Sequence, residues 1–200
     1  YKEERMKSIL FVNGCIRGEE SRTLLLARRF LDCLRGKYEI TEVSGLCLPL
    51  DREALEKRER LAVQGNWDDP VFDEARRFMQ ADAVVLAAPF WEGTFPAAVH
   101  AYIEQICVTG MTFGYREDGT AEGYGRAKRG VFFSTRGGIY SEGPNKKDDH
   151  AEKFLASVFR MLGIPKTDTV TAEGLDIIGN DVRLIMNQAL REAELLAGTF

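Results

Sequence analysis

The sequence predicts an α/β domain in which a parallel sheet of five strands carries helices on both faces. Three observations support this. Short apolar runs alternate with longer segments of helical spacing along nearly the whole chain. One run, DAVVLAAP (Asp82 to Pro89), is apolar almost throughout, as expected of a central parallel strand covered on both sides. The length of 200 residues, with 44% hydrophobic and 29% charged, suits a single globular unit with a proper core.

The elements follow in order. SILFVN (Ser8 to Asn13) reads as the first strand. SRTLLLARRFLDCLRG follows as a helix, with Leu24, Leu25, Ala27, Leu31 and Leu34 near helical spacing and Gly36 as its stop. YEITEV (Tyr38 to Val43) alternates apolar and polar residues and reads as a second strand. DREALEKRERLAVQ is a charged, exposed helix, and DPVFDEARRFMQA places Val71, Ala75, Phe78 and Met79 on one face. After the central run, Pro96 suits the first turn of a helix over PAAVHAYIEQICV. KRGVFFST is the fourth core strand, DDHAEKFLASVFRMLGI a helix, TDTVTAEGL the fifth strand and NDVRLIMNQALREAELLAG the last helix. Between the third and fourth core strands, Asp118-Gly119 signals a hairpin or lid. Five parallel strands imply the order 2-1-3-4-5, a flavodoxin-like three-layer sandwich. The expected domain spans residues 7–200, with residues 1–6 as an N-terminal extension.

Composition excludes several classes. No apolar run approaches the roughly 18 residues of a membrane span. The charged start YKEERMKS has no apolar signal core, so a cytoplasmic chain is expected. Four cysteines without a C-x-x-C pair predict reduced thiols and no metal centre. A net charge of -4 without a basic cluster argues against nucleic acid.

In an open parallel sheet, ligands bind beyond the carboxyl ends of the strands. That rule selects the loops Gly14–Thr23, Pro89–Phe95 and Thr135–Gly143. The first opens a helix whose free N–H groups and dipole favour an anion, with Ser21 and Thr23 as hydroxyls and Arg17 or Arg22 as cations. Ser21 can equally be a plain helix cap. Neither G-x-G-x-x-G nor G-x-x-x-x-G-K-[ST] is present. A tyrosine-phosphatase loop is disfavoured because Arg22 lies one place too far from Cys15. The third loop, STRGGIYSEG, allows close approach of backbone to a flat ligand at Gly137 and Gly138.

Taken together, ILFVNGCIRGEESRT, APFWEGTFPAAVHAYIEQICVTGMTFGYREDG, STRGGIYSEG and TAEGL resemble the FMN-dependent NADH:azoreductases of the flavodoxin-like NAD(P)H:quinone oxidoreductases. The resemblance runs from about Lys7 onward. It implies FMN, NADH or NADPH as electron donor, small-molecule acceptors such as quinones and azo compounds, and a homodimer with each site walled partly by the other subunit. Neither nucleic acid nor a membrane is an expected partner. The FMN phosphate falls to Ser21 and Thr23, with Cys15 and Arg17 in the same loop. The isoalloxazine falls to Pro89, Phe90, Trp91, Glu92 and Gly93, and its pyrimidine side to Thr135, Arg136, Gly137, Gly138 and Tyr140. Phe113 and Tyr115 are candidates for a substrate wall or for hairpin packing.

Two departures stand out. Gly14 and Cys15 occupy positions where these enzymes commonly carry serine, and Phe90-Trp91-Glu92-Gly93 replaces a common Met-Tyr-Asn-Phe. Both leave fold and FMN intact but bear on substrate preference. The expected chemistry is two-electron, ping-pong hydride transfer centred on the flavin, with no catalytic side chain required. Backbone N–H groups of Trp91 to Gly93 and of Gly137 and Gly138 are candidates for binding the ring edge. Cys15 reads as a packing residue rather than a redox thiol, and His100 and His150 as structural. The alternative is an electron-transfer flavodoxin that does not oxidise nicotinamides.

Overall fold

A computed structural model describes residues 5–200. The expected N-terminal extension falls outside the described residues at positions 1–4; of its remainder, Arg5 pairs with Asp82 at 2.6 Å.

The five strands of the main sheet are β1 (Lys7–Asn13), β2 (Tyr38–Ser44), β3 (Ala83–Ala87), β6 (Arg129–Thr135) and β7 (Lys166–Ala172). They pair in parallel in the order β2-β1-β3-β6-β7, which is 2-1-3-4-5 counted within the sheet. Ile9 lies between Ile40 and Ala83, and Val85 opposite Val131. Every residue of β3 is buried, as its uninterrupted apolar run requires, whereas edge strand β2 is half exposed and correspondingly alternates.

Successive side chains leave opposite faces of each strand, so the core is divided in two. Ile9, Phe11, Val85, Val131 and Phe133 meet helices α1 (Arg22–Leu34) and α6 (Val182–Gly198). Leu10, Val12, Val84, Leu86 and Phe132 meet α3 (Asp73–Gln80), α4 (Ala97–Ile106) and α5 (Ala151–Met161). Helix α2 (Arg52–Val63) buries only Leu61, in a satellite cluster with Phe72, Ala75 and Val108.

Three details differ from the sequence reading. Leu25 is 52% exposed, because the apolar face of α1 is set by Leu24, Leu26, Ala27, Phe30, Leu31 and Leu34. Met79 is only half-buried, Phe78 taking the inward position on α3. Pro96 caps α4 from outside rather than opening its first turn.

The insertion forms an antiparallel hairpin of β4 (Phe113–Tyr115) and β5 (Ala121–Gly123). Its turn uses Asp118, whose carboxylate accepts the Thr120 N–H at 2.8 Å, and Gly119 at φ 80°. Gly123 is pressed against the chain that follows α5: a Cβ there would lie 1.9 Å from Gly163 N and 2.1 Å from Leu162 C. Backbone rather than a flexible side chain blocks the space. Gly123→Ala is therefore expected to cost about 1–3 kcal/mol through forced displacement of the hairpin. Urea unfolding checks this, and unchanged stability would show that the hairpin moves freely.

Candidate active site

The carboxyl ends of all five strands lie on one edge, and a cleft of about 310 Å³ opens there. Ile16, Arg17, Glu20, Ser21 and Arg22 come from the loop after β1, Pro89, Phe90 and Trp91 from the turn after β3. Thr135 ends β6, Arg136 and Gly137 follow it, and Leu175 and Asp176 follow β7. The fold thus joins the three loops selected from sequence and adds a fourth.

One end of the cleft suits an anion. Arg22 and Thr23 are the first residues of α1, where backbone N–H groups have no intrahelical acceptor. Ser21 is the N-cap: its oxygen accepts the Leu24 N–H at 3.3 Å while the residue still lines the cleft. The cap and the ligand reading are therefore compatible. Arg17 and Arg22 bring positive charge, balanced in part by Glu20 and by Asp176, which lies 4.0 Å from Arg22.

Two residues expected here lie beneath the surface. Thr23 is completely buried and shares a 2.7 Å hydrogen bond with the Thr135 hydroxyl, joining the loops after β1 and β6 from below. Cys15 is 4% exposed with Sγ 3.6 Å from the Ala87 carbonyl. Burial pushes its thiol up to about 11, against weaker opposing effects of Ser21 and Arg28. It stays protonated at neutral pH and packs as a small apolar group.

The other end is aromatic, with Pro89, Phe90 and the 42% exposed Trp91. Tyr140, expected on the ligand, does not line the cleft but packs on Phe90 with ring centroids 4.4 Å apart and planes tilted by 47°. Trp91 and Thr94 exchange backbone hydrogen bonds at 3.0 and 2.8 Å around Glu92 and Gly93. Positive φ at both, 52° and 81°, makes this a two-residue type I′ hairpin turn. The Trp91 N–H is thereby consumed within the turn. No backbone acceptor among the described residues takes the N–H groups of Gly137 and Gly138, whose carbonyls accept from Asp176 and Gly174.

Arg136, expected on the ligand, is 2% exposed and turned inward. Its Nη1 lies 2.8 Å from both Asp149 and Glu173, and its guanidinium sits 5.1 Å from the Phe90 ring centroid. Burial alone would raise the Glu173 pKa. Hydrogen bonds from Ser141, Arg136 and Tyr140 outweigh burial and hold the carboxyl below its ordinary value. Phe113 and Tyr115 do not line the cleft of their own chain: Phe113 joins the core and Tyr115 is 64% exposed.

Asp149, Glu173 and Asp176 were not singled out from sequence. The rule about carboxyl ends would have selected the segment after β7, but nothing in the spacing of Asp149 predicts its burial.

Glu92 is the sole described non-glycine residue at positive φ. Its Cβ costs about 1 kcal/mol in that conformation, so Glu92→Gly is expected to stabilise the protein by about that amount in urea unfolding. A loss of stability instead would show that the carboxylate makes a compensating contact.

Comparison with known proteins agrees with this architecture. The profile of the flavodoxin-like fold family matches residues 7–196. The FMN-dependent NADH:quinone oxidoreductase 2 of Clostridium acetobutylicum is 36% identical over 203 residues, covering 98% of this chain and all of that one. A Caldicellulosiruptor saccharolyticus protein named FMN-dependent NADH:quinone oxidoreductase is 31% identical over 202 residues, with the same coverage. The crystal structure of an azoreductase from Bacillus anthracis superposes with a TM-score of 0.86 at 28% identity, over 98% of this chain and 100% of that one. With its sheet order, its cleft and these matches over nearly its full length, the chain belongs to the flavodoxin-like fold family.

Proposed function

We propose that the protein is an FMN-dependent NADH:quinone oxidoreductase that also accepts azo compounds, working by two-electron, ping-pong transfer with NADH or NADPH as donor. One observation carries this reading: a single cleft joins an anion-receptive helix start to an aromatic, glycine-bearing end. Relatives matched over 98% of the chain and named for FMN and quinone support it.

The donors present fit FMN. Ser21, the first N–H groups of α1, Arg17 and Arg22 suit a phosphate at one end. Pro89, Phe90, Trp91 and the N–H group of Gly137 suit a polar-edged ring at the other. Bound FMN supplies the hydride-transfer chemistry. Phe90 and Pro89 exclude water from the floor of the cleft, and half-exposed Trp91 offers a face on which a planar acceptor stacks. In this reading the Gly137 N–H, which has no backbone acceptor among the described residues, stabilises negative charge on the ring edge. In this reading two copies pair across the cleft edge, where Ile177 and Ile178 stand exposed beside Asp176. The protein then sediments at twice the chain mass.

No helix of the described residues is long and apolar enough to cross a membrane. No group of three or more His, Cys, Asp or Glu among them is arranged to hold a metal ion.

Two measurements test the reading. Protein reconstituted with FMN should bleach on anaerobic addition of NADH and recover its colour on addition of a quinone; a bound flavin inert to both nicotinamides would indicate an electron-transfer carrier. Arg22→Ala should weaken FMN about tenfold, near 1.4 kcal/mol, while leaving riboflavin affinity unchanged. Equal loss for both ligands would remove Arg22 from the phosphate end.

A further inference from the structure

Arg136 is the most deeply buried cation in the described chain, at 2% exposure. Four segments meet around its guanidinium, and three of them line the cleft. Nη1 contacts Glu173 from the loop after β7 and Asp149 just before α5, each at 2.8 Å. The Arg136 Cζ lies 5.1 Å from the ring centroid of Phe90 in the turn after β3. Glu173 returns to the loop after β6 by accepting the Tyr140 and Ser141 N–H groups at 3.1 Å. Tyr140 in turn packs on Phe90, closing a ring of contacts. Next to Asp149, the His150 N–H donates to the Gly93 carbonyl at 2.9 Å, so the Trp91–Thr94 turn is held at its far end as well.

The arrangement exceeds what packing needs. Burying one cation with two carboxylates is costly and leaves Arg136 Nε, Nη2 and Asp149 Oδ1 without a partner. An apolar plug would fill the space at less cost in free energy. What the guanidinium adds is a delocalised cation that meets both carboxylates through Nη1 while its Cζ stays near the Phe90 ring.

We propose that Arg136, with Asp149 and Glu173, is a positioning clamp that sets the orientation of Phe90 and Tyr140 and thereby pre-organises the ring-binding end of the cleft. The inference rests on the FMN reading for its consequence, though not for its geometry. Arg136 acts through Phe90 and Tyr140 and is not itself a catalytic residue. Lysine at this position retains the charge but concentrates it on a compact, strongly hydrated ammonium that lacks the guanidinium's delocalised surface toward Phe90.

The test compares Arg136→Lys, Phe90→Leu and the double variant, all folded by far-UV circular dichroism. Arg136→Lys is expected to weaken FMN about tenfold, the scale of one charge-assisted contact, and to change the visible circular dichroism of the flavin at saturation. A merely structural residue lowers thermal stability and leaves that spectrum alone. If Arg136 acts through Phe90, the double variant loses clearly less than the product of the two single losses. Strict multiplicativity, or a wild-type flavin spectrum in Arg136→Lys, overturns the proposal. If the wild-type protein binds no FMN, the proposed function fails, and the clamp is still read by amide exchange in residues 137–143 of the free protein. Faster exchange there in Arg136→Lys supports the clamp, and unchanged exchange refutes it. Should Arg136→Lys not fold, Glu173→Gln, which keeps shape and removes one charge, is measured in the same way.

Discussion

The parallel ladder through β3 and β6 is the constraint on which the rest of the molecule depends. Both strands are buried on both faces, so their polar backbone must be satisfied by strand neighbours and their side chains by two separate helical layers. Parallel pairing then leaves every carboxyl end on the same edge. The ladder does not stop at the strand ends. Gly14 N–H donates to Ala87, Ala88 N–H to Phe133, Phe90 N–H to Thr135 and Arg136 N–H to Ala172. These bonds carry the sheet's order into the loops, so the cleft is floored by paired backbone rather than free chain.

Beneath that floor, side chains add a second level of connection. Thr23 and Thr135 join the loops after β1 and β6, and Arg136 joins the loop after β6 to the start of α5. Both connections are buried, where hydrogen bonds and ion pairs exclude competing water and tolerate little misalignment. The Glu92-Gly93 turn shows the opposite economy. Its left-handed backbone is strained at Glu92, yet the turn presents Trp91 at the cleft with its own N–H already paired.

Much of the fold could be read from individual runs. DAVVLAAP announced a doubly covered strand because burial on both faces removes any alternation, and YEITEV announced an edge strand because one-sided exposure restores it. Leu25 misled, since apolar character at near-helical spacing does not tell which of several neighbouring leucines points inward. In the cleft, Ser21, Phe90, Trp91 and Gly137 stand where the loop argument put them, because strand polarity alone assigns those loops to one edge. Thr23, Cys15 and Arg136 belong to the same loops but face the interior.

By itself, the sequence determined the layer architecture, the strand order and three of the four loops that form the cleft, because hydrophobic period and strand–helix alternation are local properties that topology rules convert into placement. Only the tertiary structure decided which way the residues of those loops face. Thr23 and Thr135 are far apart in the chain, as are Arg136, Asp149 and Glu173, and their contacts depend on how helices dock across the sheet. A polar residue in a ligand loop has the same sequence signature whether it meets the ligand or another loop. The difference is set by burial and by partners that no local pattern encodes.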